Sequence, residues 1–87
     1  MTPPYRIELR PAAARALGKL DPHLRPRIQG AIALLAMNPR PPGARALQGR
    51  SGLRIRVADY RGIYLVQDDV LLVVVVTLGH RREVYER

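Results

Sequence analysis

The chain contains no cysteine, no tryptophan and no phenylalanine in 87 residues. Without cysteine it has neither a disulfide framework nor a thiolate metal site, and a reducing compartment fits that composition. Its only aromatics are four tyrosines, of which Tyr60 and Tyr64 read as core. Lysine is nearly missing as well: Lys19 stands alone among the 15 basic residues. Acidic groups are few, 7 against those 15, which leaves a net charge of +8. Long apolar runs are also absent. The most hydrophobic stretch, Val70 to Leu78, is far below the ~20 residues a membrane helix needs. Met1-Thr2-Pro3-Pro4 has no basic segment followed by an apolar one, so no signal peptide is expected. A soluble, cytoplasmic protein is the expectation.

What is present is positive charge. Arginine in place of lysine can reflect the codon habit of a host, but codon habit does not explain a net +8. Such a surplus suits a nucleic acid or an acidic protein partner.

The length predicts one domain over residues 1–87, with a modest core, since a chain this small buries only about 60% of its unfolded surface. Tyr5 to Arg10 alternates apolar and polar, which predicts a half-exposed strand. Pro11 opens a helix through Leu20. Asp21-Pro22 signals a second helix, running to about Met37, although Pro26 requires either an irregular first turn or a start near Arg25. Asn38 to Gly52 reads as a loop rich in proline and glycine, anchored by Leu47. Leu53–Val57 and Tyr60–Val66 read as a hairpin around Ala58-Asp59, and Val70–Leu78 as a central strand. The predicted class is α+β, in the order β-α-α-β-β-β. A helical hairpin would pack on one face of a mainly antiparallel four-stranded sheet.

In that hairpin Arg56 faces Arg61, with Arg54 two residues along on the same face. Like charges opposite one another destabilise a sheet. Taken singly, each arginine fits a solvated strand face. Their convergence points instead to a phosphate site, because the guanidinium fork matches phosphate oxygens. The last strand should end beside Arg61 and bring Arg81 to the same pocket.

Leu53-Arg54-Ile55-Arg56-Val57-Ala58-Asp59-Tyr60-Arg61-Gly62-Ile63-Tyr64, followed by Gly79-His80-Arg81-Arg82-Glu83-Val84-Tyr85, resembles the RelE/ParE toxin superfamily, and more narrowly its RelE branch. Asn38-Pro39-Arg40-Pro41 and Leu47-Gln48-Gly49 fit as well. The resemblance implies the toxin of a bacterial toxin–antitoxin system, a metal-independent endoribonuclease that cuts mRNA in the ribosomal A site. It implies a cognate antitoxin, acidic and partly disordered, which contacts operator DNA on the toxin's behalf, and no cofactor. The family's hairpin residues fall on Arg54, Arg56 and Arg61, its post-strand arginine on Arg81 and its tyrosine on Tyr85. Arg45, Arg50 and Arg82 would add RNA contacts.

Such chemistry has the RNA 2′-OH attack the adjacent phosphate, with cations on the phosphorane and a base and an acid at the two oxygens. Tyr85 could stack on a base or shuttle a proton. The family often has lysine at positions 54 and 56. Arginine holds its proton, which leaves His80 as the natural base or acid. Two other readings stay open: a non-enzymatic inhibitor of DNA gyrase of the ParE kind, and a basic nucleic-acid-binding module.

Overall fold

The computed structural model describes residues 3–80. Its elements are β1 (Arg6–Leu9), α1 (Pro11–Gly18), α2 (Arg25–Leu35), β2 (Arg45–Ala46), β3 (Leu53–Val57), β4 (Tyr60–Gln67) and β5 (Leu72–His80), with a 3-10 turn at Asp68–Val70. The strands form one sheet in the order β1-β5-β4-β3-β2. The β1–β5 pairing is parallel and the others are antiparallel.

The α+β arrangement matches expectation, but the sheet has five strands instead of four. The fifth is β2, inside the segment expected to be loop, where Arg45 and Ala46 pair with Arg54 and Leu53. A strand of two residues is too short to show alternation. The final strand also begins two residues later than Val70. Leu71 takes a left-handed conformation, φ 52°, and its N–H reaches back to the Asp68 carbonyl, so the connection is a 3-10 turn and Val70 stays outside.

Pro11 occupies the first turn of α1, where its missing N–H costs nothing. The helix stops at Gly18, short of the expected Leu20. Arg25 donates to the carbonyls of Gly18 and Leu20, both at 3.0 Å, and so covers one oxygen that the helix end leaves open and one in the turn that follows. The second helix takes the later of its two expected starts. Asp21 does not cap it; the Asp21 carbonyl accepts from the N–H groups of Leu24 and Arg25 and closes a turn around Pro22. Pro26 then falls in the first turn of α2, where an N–H has no intrahelical partner.

Both helices pack on one face of the sheet. Ala13, Leu20, Ile28 and Leu35 meet Tyr64, Val73, Val75 and Leu78 in the main core. Tyr64 is 1% exposed. Its hydroxyl donates to the Pro39 carbonyl at 2.7 Å, which satisfies the polar tip and ties the chain after α2 to β4. Leu47, the expected loop anchor, is buried but lies outside this cluster. It and Leu65 flank Gly52, where φ is 122° and a Cβ would stand 3.1 Å from Leu47 Cδ1. Any larger residue there would meet both strain and a clash.

The end of the sheet away from the hairpin is clipped by side chains. Arg40 holds Asp68 with two parallel bonds of 3.0 and 2.8 Å, and the Tyr5 hydroxyl donates to the same carboxylate at 2.6 Å. Among the described residues no helix is long and apolar enough to cross a membrane.

Candidate functional site

Strand alternation sorts the hairpin residues. Leu53, Ile55 and Val57 pack toward the helices, so Arg54 and Arg56 point to the open face. Ala58-Asp59 is the two-residue turn expected, and the register sets Arg56 opposite Arg61 and Val57 opposite Tyr60. Ala58 has φ 54°, a left-handed conformation that hairpin turns need and that suits glycine or asparagine better than alanine.

A second like-charge pair lies alongside. The β2 pairing places Arg45 directly opposite Arg54. Residues opposite each other in an antiparallel ladder share a face. Four arginines in two stacked pairs, with Gly43, therefore line a cleft of about 310 Å³ on the open face. Among the described residues none of those lining the cleft is acidic. Two pairs of cations held about 5 Å apart across strands oppose folding. Their donors are suited to phosphate oxygens.

The far wall depends on an irregularity. Ile63 pairs with Thr77 and Tyr64 with Val75, so Val76 is an extra residue bulged out of the β4–β5 ladder. The bulge reverses the facing of everything after it. Gly79 falls opposite Arg61 and presents no side chain to the cleft. His80 falls opposite Tyr60, and the two rings meet edge to face, centroids 5.7 Å apart at 79°. Tyr60 packs against the helix-side core, so His80 lies on that side also. The expectation that His80 joins the arginines is corrected here: the sheet separates them.

The structure thus brings together Arg54, Arg56 and Arg61, and adds Arg45, which the sequence had placed on a loop. Arg50 lies exposed in the turn after Leu47 and does not line the cleft. Arg81, Arg82 and Tyr85 lie outside the described residues. The chain reaches them from the end of β5, where Gly79 is Arg61's neighbour. Two features escaped sequence reasoning. The Arg45–Arg54 pairing had no periodic signal, and the bulge sits in the run Val73–Val76, which is uniformly apolar. Among the described residues no group of three or more His, Cys, Asp or Glu could hold a metal ion.

The profile of one protein family, described as the ParE toxin of the type II toxin–antitoxin system parDE, matches residues 7–85. No match is found among curated proteins. Among solved structures, a chain of the Mycobacterium tuberculosis toxin–antitoxin complex RelBE2 is 26% identical. It superposes with a TM-score of 0.75, over 90% of this chain and 99% of that one. A chain of the archaeal RelE–RelB complex of Pyrococcus horikoshii is 23% identical, TM-score 0.77, over 92% and 98%. A chain of the intact Escherichia coli RelBE complex is 23% identical, TM-score 0.72, over 87% and 95%. The last two establish likeness of fold.

Proposed function

Because the chain belongs to the ParE toxin family, within the RelE/ParE superfamily of type II toxin–antitoxin systems, we propose that it acts as a ribosome-dependent endoribonuclease on mRNA. One observation carries this: the two cross-strand arginine pairs that line one cleft. A sheet that only had to fold would avoid them. A surface that only had to touch a protein would not need its cations stacked in pairs.

The chemistry follows from the donors. The RNA's 2′-OH attacks the neighbouring phosphorus, and negative charge grows on the phosphorane oxygens. Arg56 and Arg61 hold those oxygens, and preorganised cations at developing charge are a large source of rate. Arg81 adds a third guanidinium. Tyr85 stacks on a base to turn the 2′-OH in line, and it is the residue that can pass a proton. His80, held against Tyr60 on the other face, takes no part in the transfer. The ribosome would present a single-stranded mRNA segment, the form of RNA a protein reads most readily. The cognate antitoxin would be an acidic segment that orders on the basic face. The solved relatives, which are toxin–antitoxin complexes, support that partner.

A second reading is favoured by the family description itself, which names a ParE toxin: inhibition of DNA gyrase by protein contact. The fold hosts both. Inducible expression followed by mapping of mRNA 5′ ends separates them. Codon-phased cleavage that disappears in Arg61→Ala is expected of the RNase. Growth arrest with intact mRNA and relaxed plasmid DNA would replace it with the gyrase reading.

A further inference from the structure

The strand β1 forms one edge of the sheet, far from the arginine cleft. The N–H groups of Arg6 and Arg10 point inward, to the carbonyls of Leu71 and Val75. Backbone groups alternate sides along a strand, so the N–H and C=O of Ile7 and the N–H of Leu9 point away from the sheet. Among the described residues no strand lies beyond them. The side chains alternate as well. Tyr5, Ile7 and Leu9 pack toward the helices, while Arg6 and Glu8 stand exposed on the open face. On the helix side Ile7, Leu9, Leu17, Gln29, Ile32 and Ala33 line a groove of about 270 Å³. Met37 extends this apolar edge: it is 73% exposed and follows Ala36, whose carbonyl accepts the Tyr5 N–H.

We infer that this edge binds a second copy of the chain, β1 against β1, antiparallel, with Ile7 at the two-fold axis. Edge strands often carry charge that discourages pairing. Here the two charges are opposite in sign and two residues apart, a pattern that is complementary to itself. With Ile7 opposite Ile7, Arg6 of each chain stands opposite Glu8 of the other, and both ion pairs lie on the open face. Opposite charges directly across a ladder stabilise it. The two Ile7 residues exchange both of their outward backbone bonds. The Arg6–Glu8 pairs are then of the closer, non-hydrogen-bonded kind, about 4.5 Å between Cα atoms. On the helix side Ile7 meets Ile7, and the two apolar grooves join across the axis. A register slipped by two residues would set Glu8 opposite Glu8 and Arg6 opposite Arg10, and would repel. The symmetry is closed, so association stops at two copies. The paired sheet keeps its two arginine clefts on one face and near its outer ends, with the β3 strands about 34 Å apart across seven strand spacings. The dimer therefore leaves both clefts open.

The test is sedimentation equilibrium of the full chain in about 150 mM salt, where long-range repulsion between the two +8 chains is screened. The parent chain should approach twice its monomer mass at about 0.5 mM and return to monomer near about 5 μM, the range of a small, transient interface. Arg6→Glu and Glu8→Arg each put like charges opposite one another, so each should weaken self-association about tenfold. Two further readouts separate the register from any general damage to the fold. The double variant Arg6→Glu/Glu8→Arg restores opposite charges and should dimerise like the parent. An equimolar mixture of the two single variants should form a mixed dimer at concentrations where each alone is monomeric. In the parent, amide exchange at Ile7 and Leu9 should slow as concentration rises; in each single variant it should not. A parent chain that is still monomeric at about 0.5 mM would overturn the inference and leave the edge to a strand of a different protein. Self-association that survives both single reversals, or a mixture that stays monomeric, would overturn it by placing the contact on another surface.

Discussion

At the residue scale, two side chains are held in ways that make clear predictions. Ala58 sits at φ 54°, where a Cβ crowds the following carbonyl at ~1–2 kcal/mol. Ala58→Gly removes the crowding but frees the unfolded chain, so urea denaturation should show a net gain of about 0.5 kcal/mol. A loss instead would mean that the turn depends on the alanine methyl. Tyr64 is enclosed, and its hydroxyl donates to the Pro39 carbonyl at 2.7 Å. Tyr64→Phe leaves that carbonyl unmatched, and the midpoint of denaturation should fall by about 1–2 kcal/mol in equivalent stability. The sequence identified Tyr64 as core from its place in a strand. It gave no hint of the Pro39 bond, because that bond joins positions brought together only by the packing of α2 on the sheet.

At the scale of elements, the hairpin and the clip at the far end of the sheet respond to different variables. Arg56 opposite Arg61 is a like-charge pair in a two-strand ladder. Arg56→Thr should therefore raise the melting temperature, by a stabilisation of about 0.5 kcal/mol, while growth arrest on induction is lost; unchanged toxicity would separate the pair from function. The clip answers to pH. The Arg40 guanidinium, and after it the Tyr5 hydroxyl, hold the Asp68 carboxyl down from 3.8 to about 2. A group whose folded pKa lies below its unfolded value stabilises fully above the unfolded pKa and loses that contribution as pH falls through the folded one. Stability should then decline between about pH 4 and pH 2, and Asp68→Asn should flatten that part of the profile in a pH series of thermal melts. The hairpin, its register and its arginine pair were legible in the alternation Leu53-Arg54-Ile55-Arg56-Val57 and in the short turn. The strand β2 and the bulge at Val76 were not. Each is one or two residues long and is stabilised by neighbours in the sheet, so neither leaves a local pattern.

At the scale of the molecule, a charge of +8 on 87 residues makes self-repulsion a property of the whole fold. Much of that charge lies on exposed surface, and surface repulsion is screened over about 10 Å at 0.1 M salt. The melting temperature should rise as sodium chloride increases from 10 to 200 mM, and an acidic polypeptide that binds the basic face should raise it further. A melting point indifferent to salt would show that the arginines are already compensated within the chain. The bulge has a consequence at the same scale. Because β4 keeps its regular alternation, the single extra residue Val76 is absorbed in the bulge and the pairing beyond it stays in step. Deleting that valine would leave Val75 opposite Tyr64 and Thr77 opposite Ile63 in a regular ladder, with Gly79 still opposite Arg61 and His80 still opposite Tyr60. The bulge is thus a slack link in β5: the strand can lose one residue there without exchanging the groups it presents to the cleft and to the helices.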